Sequence, residues 1–207
     1  MQVVPLTPIA LVERVVDAIL DRPRGERVRV FVDGAPPTDP GALADALVEP
    51  LRAAGRPVVR VSAGDFLRPA SVRLEHGHHD ALAYLEDWLD ERALEREVLG
   101  PLGPPGNGRY LPTLWDPVAD RATRAGYLDA APDAVLLLDG SLLLGRGLPV
   151  DLSVHLTTRP GTLARRTPSD EQWTLEAYAL YEARADPTRT ADLVVRVDDP
   201  RHPAIVT

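Results

Sequence analysis

The chain contains no lysine and no cysteine: all 23 of its basic side chains are arginines. Without a thiol there can be no disulfide, no thiolate nucleophile and no cysteine-ligated zinc site. Methionine occurs once and phenylalanine twice. No apolar run approaches the roughly 20 residues that a membrane-spanning helix needs. The opening MQVVPLTPIALVERVVDAIL has no basic stretch ahead of an apolar one, so no signal peptide is expected. Positive charge is also short, with 31 acids against 23 arginines and a net charge of −8. That balance lacks the basic field required for sequence-independent binding to nucleic acid or to an anionic membrane, although it leaves room for a local arginine pocket. A soluble, cytoplasmic protein is expected, with neither nucleic acid nor membrane as partner. Arginine in place of lysine, beside abundant Ala, Leu, Val and Pro, also reads as GC-rich coding bias, so the missing lysine does not by itself signal lost chemistry.

What is present is enough for one full core: 207 residues at 44% hydrophobic content. Helical and extended patterns alternate. Pro8 to Leu20 has the period of a helix, and Arg27 to Asp33 (RVRVFVD) that of a strand, followed by a helix across Ala42 to Leu51. Pro57 to Ser62 is a second strand, Asp80 to Leu99 a helix, and Gly100 to Gly108 (GPLGPPGNG) a flexible connection. Ala134 to Asp139 (AVLLLD) is apolar throughout, as a central parallel strand covered on both faces should be. Asp151 to Leu156 and Asp192 to Val197 give the fourth and fifth strands, with a helix at Glu171 to Ala185 between them. The expected fold is α/β, a three-layer α/β/α domain around a five-stranded parallel sheet, with ligands at the carboxyl ends of the strands. No repeat or low-complexity tract appears.

The strand, Gly34 and the following helix invite comparison with a phosphate-binding loop. In the pattern G-x-x-x-x-G-K-[S/T], backbone N–H groups and a lysine surround phosphate oxygens while the hydroxyl holds magnesium. Laid on that pattern, Gly34 is the first glycine, Asp39 stands at the second, Pro40 at the lysine and Gly41 at the Ser/Thr. Pro36, Pro37 and Pro40 have no N–H to give. Asp39 suits the N-cap of the helix, with Pro40 at its first position, which puts an internal anion in the anion site. Taken alone, the stretch is a plain capped strand-to-helix turn.

In order and local wording, however, the chain resembles the uridine kinase group of P-loop nucleoside kinases, particularly the small uridine kinase-like proteins of actinobacteria. The stretches that carry the resemblance are VRVFVDG, GRPVVRVSAGDFLRP, LEREVLGPLGPPGNGRY, DAVLLLDGSLLL, DLSVHL and EARADPTRTADLVVRVDDP, which span nearly all of the chain from Val28 onward. The resemblance implies a single kinase-like domain over 1–207, with an N-terminal helix in 1–24, an acceptor-side insertion in 66–130 and a reduced lid in 159–171. It implies the Walker A glycine at Gly34 with its lysine and hydroxyl missing. The acceptor-activating Asp of the family falls at Gly64, so Asp65, beside Phe66, is one place off. Asp139 matches the acid near magnesium, while Tyr110, Trp115 and Asp116 fall on nucleoside-contacting positions. Phe66, Arg68 and Tyr84 join them on the ligand side, and Arg165 and Arg166 are what remains of the phosphate-directed lid.

With the lysine, the metal-binding hydroxyl and the aligned Asp absent together, a loss of the kinase step by several orders of magnitude is expected. The expected function is a non-catalytic kinase-like protein binding a nucleoside-like or other small polar ligand in the former acceptor pocket, with no cofactor required and no metal. Two alternatives stand beside it. One is an enzyme repurposed for phosphate-independent acid/base chemistry through Asp65, His78, His79, Asp116 and Asp139. The other is an active phosphotransferase, the one case that would need ATP and magnesium. The cluster His76-Gly77-His78-His79-Asp80 has imidazoles near carboxylates that could move protons or hold a divalent metal, against the plainer reading of a solvated loop. His155 is expected as a hydrogen-bonded core histidine, His202 as terminal surface, and Trp88, Trp115 and Trp173 as packing residues. A homo-oligomer is left open.

Overall fold

A computed structural model describes residues 3–206. Seven strands make one sheet: β1 (Val3–Pro5), β2 (Val28–Gly34), β3 (Val58–Ser62), β4 (Val135–Gly140), β5 (Leu152–Thr157), β6 (Leu193–Arg196) and β7 (Ala204–Val206). Their spatial order is β1-β7-β6-β5-β2-β4-β3. The run from β6 to β3 is parallel throughout and comprises the five expected strands, each within a residue or two of its expected bounds. The whole sheet is nevertheless mixed, because β7 lies antiparallel to β6, and β1 antiparallel to β7. These edge strands have three residues each, too few to carry a readable period, and they pair only because tertiary contacts bring the chain ends together.

The apolar alternation of β2 divides the core into two layers. Val30 and Val32 point toward α1 (Pro8–Leu20) and α2 (Pro40–Ala53), whose buried stripes are Leu11, Val15, Val16, Ile19 and Leu43, Ala44, Leu47, Leu51. Phe31 points to the other face, into a cluster with Phe66, Leu94, Leu136, Leu138, Tyr178 and Tyr181. That face is covered by α3 (Ala81–Glu86) and α5 (Thr174–Ala185); between β5 and α5 the chain forms α4 (Pro160–Arg166). α1 starts where Thr7 caps the amide of Ala10 at 3.1 Å with Pro8 in the first turn.

Two expected helices change shape. The stretch 80–99 is not one helix: α3 is followed by a turn at Glu91–Leu94 that runs into a π turn at Glu95–Leu99. Asp80 caps its start, accepting from the amide of Ala83 at 2.7 Å, and Asp90 interrupts it by capping a second segment at the amide of Ala93, 3.0 Å away, while Leu89 bridges to Leu67. The helix expected from Glu171 starts later, at Thr174, because Ser169–Glu171 is a separate 3-10 turn. The region after Gly100 holds two small ribbons, Arg109–Tyr110 with Leu128–Asp129 and Trp115–Asp116 with Arg121–Ala122. Among the described residues no helix is long and apolar enough to cross a membrane.

Gly34 closes β2 at a point with no room for a side chain. A Cβ there would stand 2.5 Å from Thr38 Oγ1 and 3.0 Å from Leu156 Cβ. Thr38 Oγ1 is itself held by the carbonyl of Ala35 at 2.7 Å. Gly34→Ala is therefore expected to lower stability by about 1–3 kcal/mol in urea unfolding, the usual penalty of overpacking. Gly126→Ala, where a Cβ meets nothing within 4 Å, should leave the midpoint unchanged.

Candidate functional site at the carboxyl end of the sheet

Two cavities open where the parallel strands end. The first, of about 420 Å³, lies between Pro36–Gly41, the turn after β3 (Ser62–Gly64), the end of β4 (Asp139–Leu142) and the aromatic side chains of Tyr84 and Trp88. The second, of about 480 Å³, lies on the other side of Leu142, between Ala35 and Thr38, the end of β5, α4 and α5.

The loop between β2 and α2 uses its own polar groups. Pro36–Thr38 forms a 3-10 turn in which the amides of Thr38 and Asp39 donate to the carbonyls of Ala35 and Pro36 at 2.8 and 3.0 Å. Asp39 adopts a left-handed conformation at φ 58°, and its carboxylate accepts from the amide of Ala42 at 3.1 Å. Prolines at 36, 37 and 40 contribute no donors.

Asp139 ends β4 close to Gly41, where an added Cβ would lie 3.5 Å from its Oδ2. Its carboxylate is engaged by Arg60 Nη1 at 2.9 Å and accepts from Ser62 Oγ at 3.2 Å. The same guanidinium reaches Asp45 at 2.8 Å. Asp65, in the Ala63–Phe66 turn, is half-buried; burial and then the negative charges of Asp139 and Asp116 hold its carboxyl above the usual carboxylate range. Tyr84 and Trp88 meet edge-on with centroids 4.8 Å apart, and Trp173 packs 5.3 Å from Tyr84, so an aromatic wall stands opposite these carboxylates. Trp88 is thus more than the packing residue expected.

Of the residues singled out from sequence, Asp139 and Tyr84 line the first cavity, Asp65 adjoins its lining residue Gly64, and Gly34 adjoins Ala35, which lines the second. Others are turned elsewhere. Phe66 and Tyr110 are buried in the core cluster, where their rings fill space between the sheet and its cover. Trp115 donates to Asp120 at 3.1 Å, and Asp116 accepts from the amides of Val118 and Ala119 at 3.0 Å each, so both hold a surface ribbon together. Arg68 pairs with Asp87 at 3.7 Å. Arg165 bonds Thr162 at 3.2 Å, and Arg166 reaches the carbonyls of Val197 and Asp198 at 2.9 and 2.6 Å, which fastens α4 to the end of β6. His76, His78 and His79 are exposed, with the ring of His79 5.5 Å from Trp173. Among the described residues no three His, Asp or Glu side chains converge as a metal site.

The second cavity contains a group that sequence reasoning treated only as core. Asp33, fully buried, accepts from Tyr181 Oη at 2.9 Å and from the amide of Leu143 at 2.9 Å, and its Oδ2 lies 2.7 Å from Nδ1 of buried His155. Glu182 Oε1 stands 3.6 Å from His155 Nε2. Burial pushes the imidazole down, but its hydrogen bond to Asp33 and the attraction of the Asp33 and Glu182 carboxylates prevail and raise it to about 9. Burial drives the Tyr181 hydroxyl far up, with Asp33 adding to the effect. His155 and Asp33 are register partners across the β2–β5 pairing. The signal in the sequence was a polar residue at the end of each of two apolar strands, and it needed the strand order to become a pair.

No family model matches the chain, and no curated protein sequence does. Its fold is similar to that of a possible uridine kinase from Bacillus stearothermophilus, at a TM-score of 0.72 and 17% identity over 88% of this chain and 96% of that one. It is also similar to D-glycerate 3-kinase from Cryptococcus neoformans, at a TM-score of 0.66 and 13% identity over 91% of this chain and 95% of that one. The likeness is one of fold: this chain shares the α/β architecture of those kinases over nearly its whole length.

The His155 pair has a pH signature. A folded value of about 9 lies above the ordinary 6.5, so the protonated imidazole adds stability that is complete below about pH 6.5 and is lost as pH rises through about 9. The loss should amount to roughly 3 kcal/mol at most. Thermal melts between pH 6.5 and 9.5 are expected to show it, and His155→Gln should flatten that part of the profile.

Proposed function

We propose that this chain is a kinase-fold protein that no longer transfers phosphate and instead binds a small polar ligand, nucleoside-like in size and aromaticity, in the cavity bounded by Asp139, Tyr84 and Trp88. The observation that carries this reading is the Asp39 carboxylate, bonded to the amide of Ala42 at the helix start where a triphosphate would need N–H donors. Prolines at 36, 37 and 40 have no N–H, and the amides of Thr38 and Asp39 donate to Ala35 and Pro36. A triphosphate does not fit this set: it would meet a fixed negative charge and few donors, and charge stabilisation is nearly all that a phosphoryl-transfer site contributes. Asp139 is likewise already paired with Arg60. The cavity suits a neutral ligand better. Its volume of about 420 Å³ lies within the range of small-molecule sites. Trp88 and Tyr84 give a surface for a flat ring, and Ser141 and Asp139 give groups for hydroxyls.

The high-lying carboxyl of Asp65 favours one second reading, in which the same cavity performs acid/base chemistry on its ligand. A turnover abolished by Asp65→Asn, with ligand affinity retained, would establish it over the first.

The test is a thermal-shift and calorimetric comparison of uridine and cytidine with MgATP. A ligand of the folded state raises the melting temperature by mass action. Nucleosides are expected to raise it and MgATP to leave it unchanged, and Trp88→Leu should weaken nucleoside binding about threefold to tenfold, the worth of one aromatic contact. MgATP-dependent phosphorylation of uridine or cytidine would overturn the proposal.

A further inference from the structure

The second cavity is built differently from the first. Its walls are apolar, formed by Leu142, Leu156, Leu163, Leu175 and the ring of Tyr178, and its floor carries one buried polar atom without a partner, His155 Nε2. The ring cannot turn to cure this. Nδ1 is fixed on Asp33 at 2.7 Å, Asp33 is fixed by Tyr181 and by the amide of Leu143, and Tyr181 Oη accepts in turn from the amide of Leu144 at 2.9 Å. Glu182, at the rim with its side chain 46% exposed, attracts the imidazole from 3.6 Å but lies beyond hydrogen-bond length. A buried N–H left unbonded costs about 1–3 kcal/mol, and native structures keep few of them.

We propose that this cavity is a ligand site for a mainly apolar small molecule with an uncharged amide-like head, whose oxygen accepts from His155 Nε2 and whose N–H donates to Glu182. Charge selects the head group. Asp33, the imidazolium and Glu182 together carry one net negative charge, so a carboxylate or phosphate head would meet repulsion from Glu182, and a cationic head would meet the imidazolium. A neutral acceptor and donor side by side satisfies both groups without adding charge. The pocket shares Leu142 with the nucleoside-sized cavity but none of its carboxylates or its aromatic pair, so this site stands whether or not that reading holds.

The probes are 3-phenylpropionamide, 3-phenylpropionate and n-propylbenzene, titrated into the full chain at pH 7 while the ring nitrogens of His155 are followed by NMR. The amide is expected to bind saturably and move the Nε2 resonance, with the other two at least about fivefold weaker, the worth of one hydrogen bond. Ala164→Phe, which fills the cavity from α4, should abolish amide binding. Should that variant fail to fold, Glu182→Ala at the exposed rim provides the check: the preference for amide over carboxylate should collapse. Excess uridine should not displace the amide. Equal binding of the three probes, no saturable amide binding, a stationary His155 resonance, displacement by uridine, or an unchanged preference in Glu182→Ala would each overturn the proposal.

Discussion

The parallel pairing of β2 between β4 and β5 decides where every polar group of the site stands. Because the evenly spaced hydrogen bonds of a parallel ladder fix the register, the ends of three apolar strands come level, and the polar residues at those ends fall side by side. Asp33 pairs with Gly140 on one side and His155 on the other, Ser62 pairs with Asp139, and Gly34 lies against Leu156. Shifting that register by one residue would turn Phe31 to the helix α1–α2 face and take Val30 and Val32 out of it, so the core holds the site in place. The close approach of Gly34 to Leu156 and Thr38 is the tightest expression of the same constraint.

From that level row, two chemically distinct cavities follow. On the β4 side, Arg60, Ser62 and Asp139 form a balanced polar cluster opposite an aromatic wall. On the β5 side, Asp33 and His155 sit beneath apolar side chains of α4 and α5. Between them the β2–α2 loop is closed by its own turn and by the Asp39 cap. An N-cap and a bound phosphate draw on the same unpaired amides of a helix's first turn, so a carboxylate supplied by the chain competes with any phosphate supplied from solution. That competition is the physical basis of the proposal that a chain with this fold binds a ligand in place of transferring phosphate.

Most of the architecture was legible because it rests on periodicity. Val28–Gly34, Val135–Gly140 and the helices at 8–20 and 40–53 carry long apolar patterns and clear caps at Thr7 and Asp39. Misreadings arose where local and tertiary signals competed. The stretch 80–99 has helical spacing, yet the side chains of Asp80 and Asp90 each cap the start of a separate helical segment. The edge strands at 3–5 and 204–206 have no pattern of their own and exist because they meet. Of the residues singled out from the chain, Asp139 and Tyr84 line the first cavity, while Tyr110, Trp115, Asp116 and Arg166 are committed to the core, to a ribbon or to carbonyls.

The absence of lysine, the prolines at 36, 37 and 40 and the carboxylate at 39 were properties of the sequence alone, and they fixed the donor-poor character of the loop before any coordinates, because a residue's hydrogen-bonding inventory does not depend on its neighbours. The sequence also determined the α/β class, since hydrophobic period is a local property. Only the tertiary structure decided that Asp33 and His155, 122 residues apart, form one buried pair, that Trp88 faces a cavity, and that Asp139 is paired with Arg60. Those facts depend on strand order and side-chain direction across the sheet, and no run of adjacent residues encodes either.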